Sequence, residues 1–267
     1  MSAFSQARAA VGVVAVMALG GFCSGGTAAQ SPPLLSGLQS GLQTGSQPNV
    51  TADVQPGTRF TALAPVEAAS SPAPAAPDRG PFGTTVAHDG AMSAKWRGLQ
   101  PAIQLEARIL DLCRTGRKLC PPAAARFLAI VEAARDRSGR ARIGEINQAI
   151  NLAIRPMSDT AQYQVAGVWA TPLMTFVTGV GDCKDYAIAK YVALREAGVA
   201  LEDLRIVILR IAALNQDHAV TAARVDGQWF ILDNRHMILL TDSQITNMTP
   251  LVTLDHKDVG RSAAAAS

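Results

Sequence analysis

Gly179-Val180-Gly181-Asp182-Cys183-Lys184-Asp185-Tyr186-Ala187-Ile188-Ala189-Lys190-Tyr191 is the stretch on which the reading of this 267-residue chain turns. Two glycines and an aspartate run directly into residues at helical spacing, Tyr186, Ala187, Lys190, Tyr191 and Leu194. A loop therefore becomes a helix there, with Asp182 as the N-cap. Cys183 lies in the first turn, where unpaired backbone N–H groups and the positive end of the helix dipole favour a thiolate over a thiol. A thiolate is the nucleophilic form, and an adjacent imidazole can take and return its proton. The same position also suits a small buried cysteine that only packs. Segments further along bear on which reading holds.

Gln216 to Val225 and Gly227 to Asn234 both have strand character, and Asp226-Gly227 between them is a two-residue hairpin signal. His218 opens the first strand and Asp233 closes the second. If Val225 pairs with Gln228, His218 falls opposite Arg235, and Asp233 projects from the same face, diagonally across from His218. A cysteine at a helix N-terminus, a histidine on a strand and an aspartate on the next form the Cys-His-Asp arrangement of papain-like and transglutaminase-like folds.

Gly181-Asp182-Cys183, Asp185-Tyr186-Ala187-Ile188-Ala189-Lys190-Tyr191, Asp217-His218-Ala219-Val220 and Leu232-Asp233-Asn234 resemble the bacterial transglutaminase-like cysteine proteinases. Trp169-Ala170-Thr171-Pro172-Leu173 resembles the family pattern as well, and the similarity runs from about Ile143 to Met237. The resemblance implies an α+β fold, with N-terminal helices and the Cys183 helix packed on an antiparallel sheet. It also implies a cysteine peptidase with Cys183 as nucleophile, His218 as base and Asp233 as the residue that orients His218. Family members include periplasmic proteases that release surface adhesins, so it implies a surface adhesin as substrate and an inner-membrane receptor as regulator. It further implies a calcium site of acidic residues around the cysteine, which Asp182 and Asp185 match. Lys184 stands where an acidic residue is often found, and an ammonium repels calcium among oxygen ligands. The expectation is that no cofactor is required.

Composition sets the surroundings of this segment. A net charge of +3 without a dense basic run excludes a nucleic-acid binder. Residues 1–29 read as an export signal: Arg8, an apolar run from Ala9 to Leu19, and Thr27-Ala28-Ala29 as a small-residue cleavage site. Residues 30–91 are rich in Ser, Pro, Ala, Gly and Gln and read as a disordered linker. The domain is expected over 92–255, with a flexible tail over 256–267. Export implies a periplasmic or secreted protein in an oxidising compartment. Cys113 and Cys120 then read as a disulfide closing a short loop, with no histidine nearby to favour zinc. That pairing leaves Cys183 as the odd cysteine after the signal.

Within the domain a first helix is expected after Pro101, a second from Pro122 to about Arg135, and a third carrying Ile143, Ile146, Ile150 and Ile154. Met157 to Val180 reads as a long irregular segment, with Trp169 either shaping a substrate groove or serving as a wall aromatic. Leu204 to Arg210 alternates as a strand, and Ile238 to Leu240 offers a further short one. His236 and Asn234 lie close to Asp233 in sequence, and Asp217 reads as a loop carboxylate. Two other functions stay open: a transglutaminase or amidase acting on envelope amides, and a non-catalytic exported binding module with the same fold.

Overall fold

Three helices form the first layer. The computed structural model describes residues 79–86, 90–116 and 120–259. The export signal, Cys23, His88, the linker up to residue 78 and the end of the tail lie outside the described residues. Helix α1 (Ala91–Arg114) starts well before Pro101 and carries that proline in its interior. Pro101 lies on the exposed face of the helix, clear of the core. Trp96, Gln100, Ile103 and Leu110, buried on the opposite side, carry the helix past it. Helix α2 (Pro122–Arg135) has proline at its first turn, where a missing N–H costs nothing. The Cys113–Cys120 disulfide ties it to the end of α1. Helix α3 (Gly139–Ala153) buries Ile143, Ile146 and Ile150.

The segment expected to be irregular holds short elements. Strand β1 (Arg155–Pro156) pairs in parallel with β2 (Val180–Gly181), and between them lie α4 (Asp159–Tyr163) and α5 (Pro172–Thr178). Elements this short carry no periodicity, only local punctuation. Ser158 caps α4 by accepting from Ala161 N, and Gly179 ends α5 in the left-handed region at φ 68°. Helix α6 (Cys183–Glu196) follows at once, and every residue from Cys183 to Leu194 is buried. A helix covered on all sides is a core helix, which is why its apolar pattern has no polar face.

Strands β3 (Leu204–Ile211), β4 (Gln216–Val225), β5 (Gln228–Leu232), β6 (Leu240–Thr241) and β7 (Met248–Leu254) build one antiparallel sheet in the order β6-β5-β4-β3-β7. Asp226 and Gly227 both have positive φ, 51° and 80°, as a two-residue hairpin of primed type needs. The register is the one expected, from Val225 opposite Gln228 to Thr221 opposite Leu232. Strand β7 is an addition. Its Pro250 breaks the apolar run in the sequence, and a proline is tolerated because β7 is an edge strand. The ladder slips between Ile208 and Leu209, opposite this proline. Leu204, Ile206, Ile208, Ala219 and Phe230 pack against the helices. Val207, Leu209, Val220, Trp229 and Ile231 form a second cluster on the other face. Phe82 joins that second cluster, and Arg79 O accepts from Trp229 Nε1 at 3.1 Å. Residues 79–86 thus pack on the sheet although their composition reads as linker. The whole is the expected α+β architecture: a papain-like core of helices on an antiparallel sheet. No helix of the described residues is long and apolar enough to cross a membrane.

Candidate active site

The start of α6 meets the sheet where β4 begins. Asp182 caps the helix by accepting from Lys184 N at 3.2 Å, and Asp185 returns a bond by accepting from Asp182 N at 3.1 Å. This reciprocal box fixes the first turn, which carries Cys183. Gly181 is needed for it: a Cβ there would stand 2.9 Å from Asp185 Cβ. On the sheet side, Ala219 N donates to Cys183 Sγ at 3.3 Å, and Thr221 Oγ1 donates to Ala187 O at 2.7 Å, which locks β4 against α6. Among the described residues there is no free cysteine. Thiol chemistry at Cys183 starts from the reduced protein.

His218 and Asp233 are brought together as the hairpin register requires, with His218 Nε2 2.8 Å from Asp233 Oδ1. Both are buried. Burial alone would raise the Asp233 pKa, but the His218 hydrogen bond and charge and the Arg235 guanidinium together hold it well below the usual carboxylate range. An ionised carboxylate only accepts, so His218 Nε2 carries the hydrogen and Nδ1 is left with its lone pair. Arg235 closes the other side of Asp233: its backbone N donates to Oδ1 at 2.9 Å and its Nη2 to Oδ2 at 3.1 Å. Asn151 of α3 donates to Asp233 O at 3.1 Å and so fixes the loop that presents it. Lys190, two turns along α6 from Cys183, is fully buried, with no hydrogen-bond partner for Nζ. Burial pushes its pKa down to about 7, partly offset by the charge of Asp233.

A second buried ionic group lies on the helix side of Cys183. Asp159, Asp182 and Asp185 offer carboxylate oxygens within 4.8 Å of one another. Lys184 Nζ donates to Asp159 Oδ2 at 2.7 Å and also to Asp182 Oδ2. Burial, then the neighbouring carboxylates Asp185 and Asp159, push the Asp182 pKa up to about 7 against the pull of Lys184. Asp182 and Asp185 are therefore grouped as a cation site would require, together with Asp159. An ammonium is already bonded to two of the three, so the set does not fit a calcium ion as it stands.

The neighbouring candidates fall outside both groups. His236 is exposed, and its hydrogen bonds run through its backbone: the N–H donates to Asp233 O, and the carbonyl accepts from Asn147 and Asn151. The bond to His218 comes from Asp233 and not from Asn234. Asp217 pairs with Arg210 at 2.7 Å. Trp169 is half-buried against the core, and the residues on either side of it are tethered: Val168 N donates to Asp159 Oδ2 and Ala170 N to Asp185 Oδ1. Sequence reasoning missed Asp159, Arg235 and the Ala219 N–H. Ser158-Asp159 carries the ordinary signal of a helix start, which says nothing of a partner so far along the chain. A main-chain donor such as the Ala219 N–H has no sequence signal at all.

The family described as bacterial transglutaminase-like cysteine proteinase matches residues 107–248, more than half of the chain. No curated protein sequence matches. Among solved structures, LapG of Legionella pneumophila is similar at 23% identity and a TM-score of 0.48, covering 60% of this chain and 94% of that one. A calcium-bound structure of the same Legionella pneumophila protein is similar at 24% identity and a TM-score of 0.47, covering 57% of this chain and 84% of that one.

Proposed function

The chain belongs to the bacterial transglutaminase-like cysteine proteinases, and from this premise we propose that Cys183, His218 and Asp233 are the groups through which it cleaves peptide bonds. The observation that carries the assignment is the His218 Nε2–Asp233 Oδ1 bond of 2.8 Å beside a Cys183 sulfur held 3.3 Å from Ala219 N. In reduced protein, His218 Nδ1 takes the Cys183 proton, and the helix N-terminus and the Ala219 N–H favour the resulting thiolate. The sulfur attacks the carbonyl carbon of the scissile bond. The Cys183 N–H, at the start of α6, donates to the oxygen as it becomes negative. His218 passes its proton to the leaving amine as the C–N bond breaks, which leaves a thioester on Cys183. Water then attacks the thioester while His218 takes one of its protons. The acid product leaves and the thiolate–imidazolium pair is restored. Asp233 keeps its charge throughout and stabilises the imidazolium.

The protein substrate belongs, on this reading, to the cell envelope or surface, a surface adhesin being the form the family resemblance implies. The site of action is the periplasm or exterior, with an inner-membrane receptor as restraint. The steps are carried by side chains and main-chain donors. Asp159, Asp182 and Asp185 are the carboxylates a calcium ion would need, and Lys184 already engages two of them.

The reduced protein and its Cys183→Ala variant should be incubated with a quenched-fluorescence peptide library in isotopically labelled water, with and without a primary amine. Cleavage by the parent alone, with the label in the new carboxyl group, is the expected result. Preferential capture of the added amine would replace hydrolysis by transamidation. No turnover of any peptide, with Cys183 inert to alkylation, would leave a binding module.

A further inference from the structure

The helix-side ionic group has a construction of its own, and it does not rest on the peptidase reading. Three carboxylates from two elements converge: Asp159 from α4, and Asp182 and Asp185 from the start of α6. All three are buried. Four backbone N–H groups point at them, from Val168, Ala170, Asp182 and Lys184. Oxygens that close to one another match the spread around one divalent cation at about 2.4 Å from each. The charge at that place is supplied instead by the chain itself, through Lys184 Nζ on Asp159 and Asp182. Lys184 is almost fully buried, an unusual place for a lysine unless it is paired. One acceptor is left over, because Asp159 Oδ1 is buried without a hydrogen-bond partner. The group has a surplus of oxygen ligands for a single ammonium, which is the donor set of a metal site and not of a simple ion pair.

We infer that Lys184 is a tethered cation that takes the place of a divalent ion among Asp159, Asp182 and Asp185, so that this chain holds the start of α6 and the Val168–Ala170 loop without calcium. The ammonium bonds carboxylates of α4 and of the α6 N-cap, and those of Asp159 and Asp185 in turn accept from Val168 N and Ala170 N; a primary amine on a flexible stem can satisfy two carboxylates at once. Removing it should uncover a calcium site made of the same oxygens.

The test uses the full chain, with calcium chloride and a chelator as probes and with calorimetric binding and thermal unfolding as readouts. The parent protein should show no calcium-binding heat, and its melting temperature should be the same in chelator and in millimolar calcium. Lys184→Ala should melt lower in chelator, bind calcium, and regain roughly 5–10 °C at saturating ion. That gain should vanish in the Lys184→Ala/Asp159→Asn double variant. If Lys184→Ala does not fold in either condition, Lys184→Gln, one atom shorter but with a neutral donor kept, is read in the same way. A parent protein that binds calcium with a higher melting temperature would overturn the inference. So would a folded Lys184 variant that gains nothing from calcium.

Discussion

The two buried ionic groups that flank Cys183 treat the same side chain in opposite ways. On the strand side, a single carboxylate, Asp233, receives His218 and both the guanidinium and the backbone N–H of Arg235. Its acidity rises despite burial. On the helix side three carboxylates share one ammonium, burial dominates, and the Asp182 pKa is pushed up to about 7. Burial is common to both, so the number of positive donors per carboxylate decides the direction. Asp233 is held in its charged form and can stabilise an imidazolium, whereas burial pushes Asp182 toward its neutral form. The strand-side group is suited to chemistry and the helix-side group to fastening.

The contrast can be broken by substitution, beginning where the effect is largest. Cys183→Ala and His218→Ala should each lower peptide cleavage by roughly 10⁴-fold or more, read as kcat/KM on a single cleaved peptide. Asp233→Asn keeps the shape but removes the charge that fixes the His218 tautomer. Its kcat should fall by about 10³–10⁴-fold with the fold intact by circular dichroism. Lys184→Met acts on the other group and should appear as stability and not as chemistry. Leaving buried carboxylates without their cation should cost about 3–5 kcal/mol in urea unfolding. Loss of kcat at unchanged stability would instead assign Lys184 to the chemistry.

The smallest effect concerns Lys190, the buried amine that feels the charge of Asp233. Its folded pKa is lowered to about 7, while in the unfolded chain it keeps its proton to about pH 10.4. The unfolded state therefore binds more protons between about pH 7 and 10, and stability should rise with pH across that window. Lys190→Met should remove about 1–3 kcal/mol of that rise, measured as urea midpoints at the two ends. An unchanged slope would show that Lys190 is charged and paired in the folded protein.

Much of the strand side was legible in the sequence. Asp226-Gly227 set the hairpin turn, and the turn set the register, so the meeting of His218 and Asp233 followed from counting. Asp182 as N-cap fixed the start of α6 for an equally local reason, and Cys113–Cys120 followed from spacing and compartment. The helix side was less legible because its members come together only through tertiary contact. Asp159 sits in a five-residue helix with no periodicity, and the partner of Lys184 is 25 residues away. Pro101 misled for a local reason: it reads as a breaker, yet it is tolerated on an exposed helix face. Residues 79–84 were masked by composition, since the one apolar anchor in that stretch, Phe82, is too little to mark an ordered segment.

The most direct test of the central claim is the pH dependence of Cys183 alkylation in reduced protein, with Cys113 and Cys120 replaced by alanine and compared with the same protein carrying His218→Ala. An activated pair predicts rapid modification well below the ordinary thiol pKa of about 8.5, with the profile shifted or lost when His218 is removed. Slow modification that follows an ordinary thiol, unchanged by His218→Ala, would contradict the account and leave a binding module on this fold.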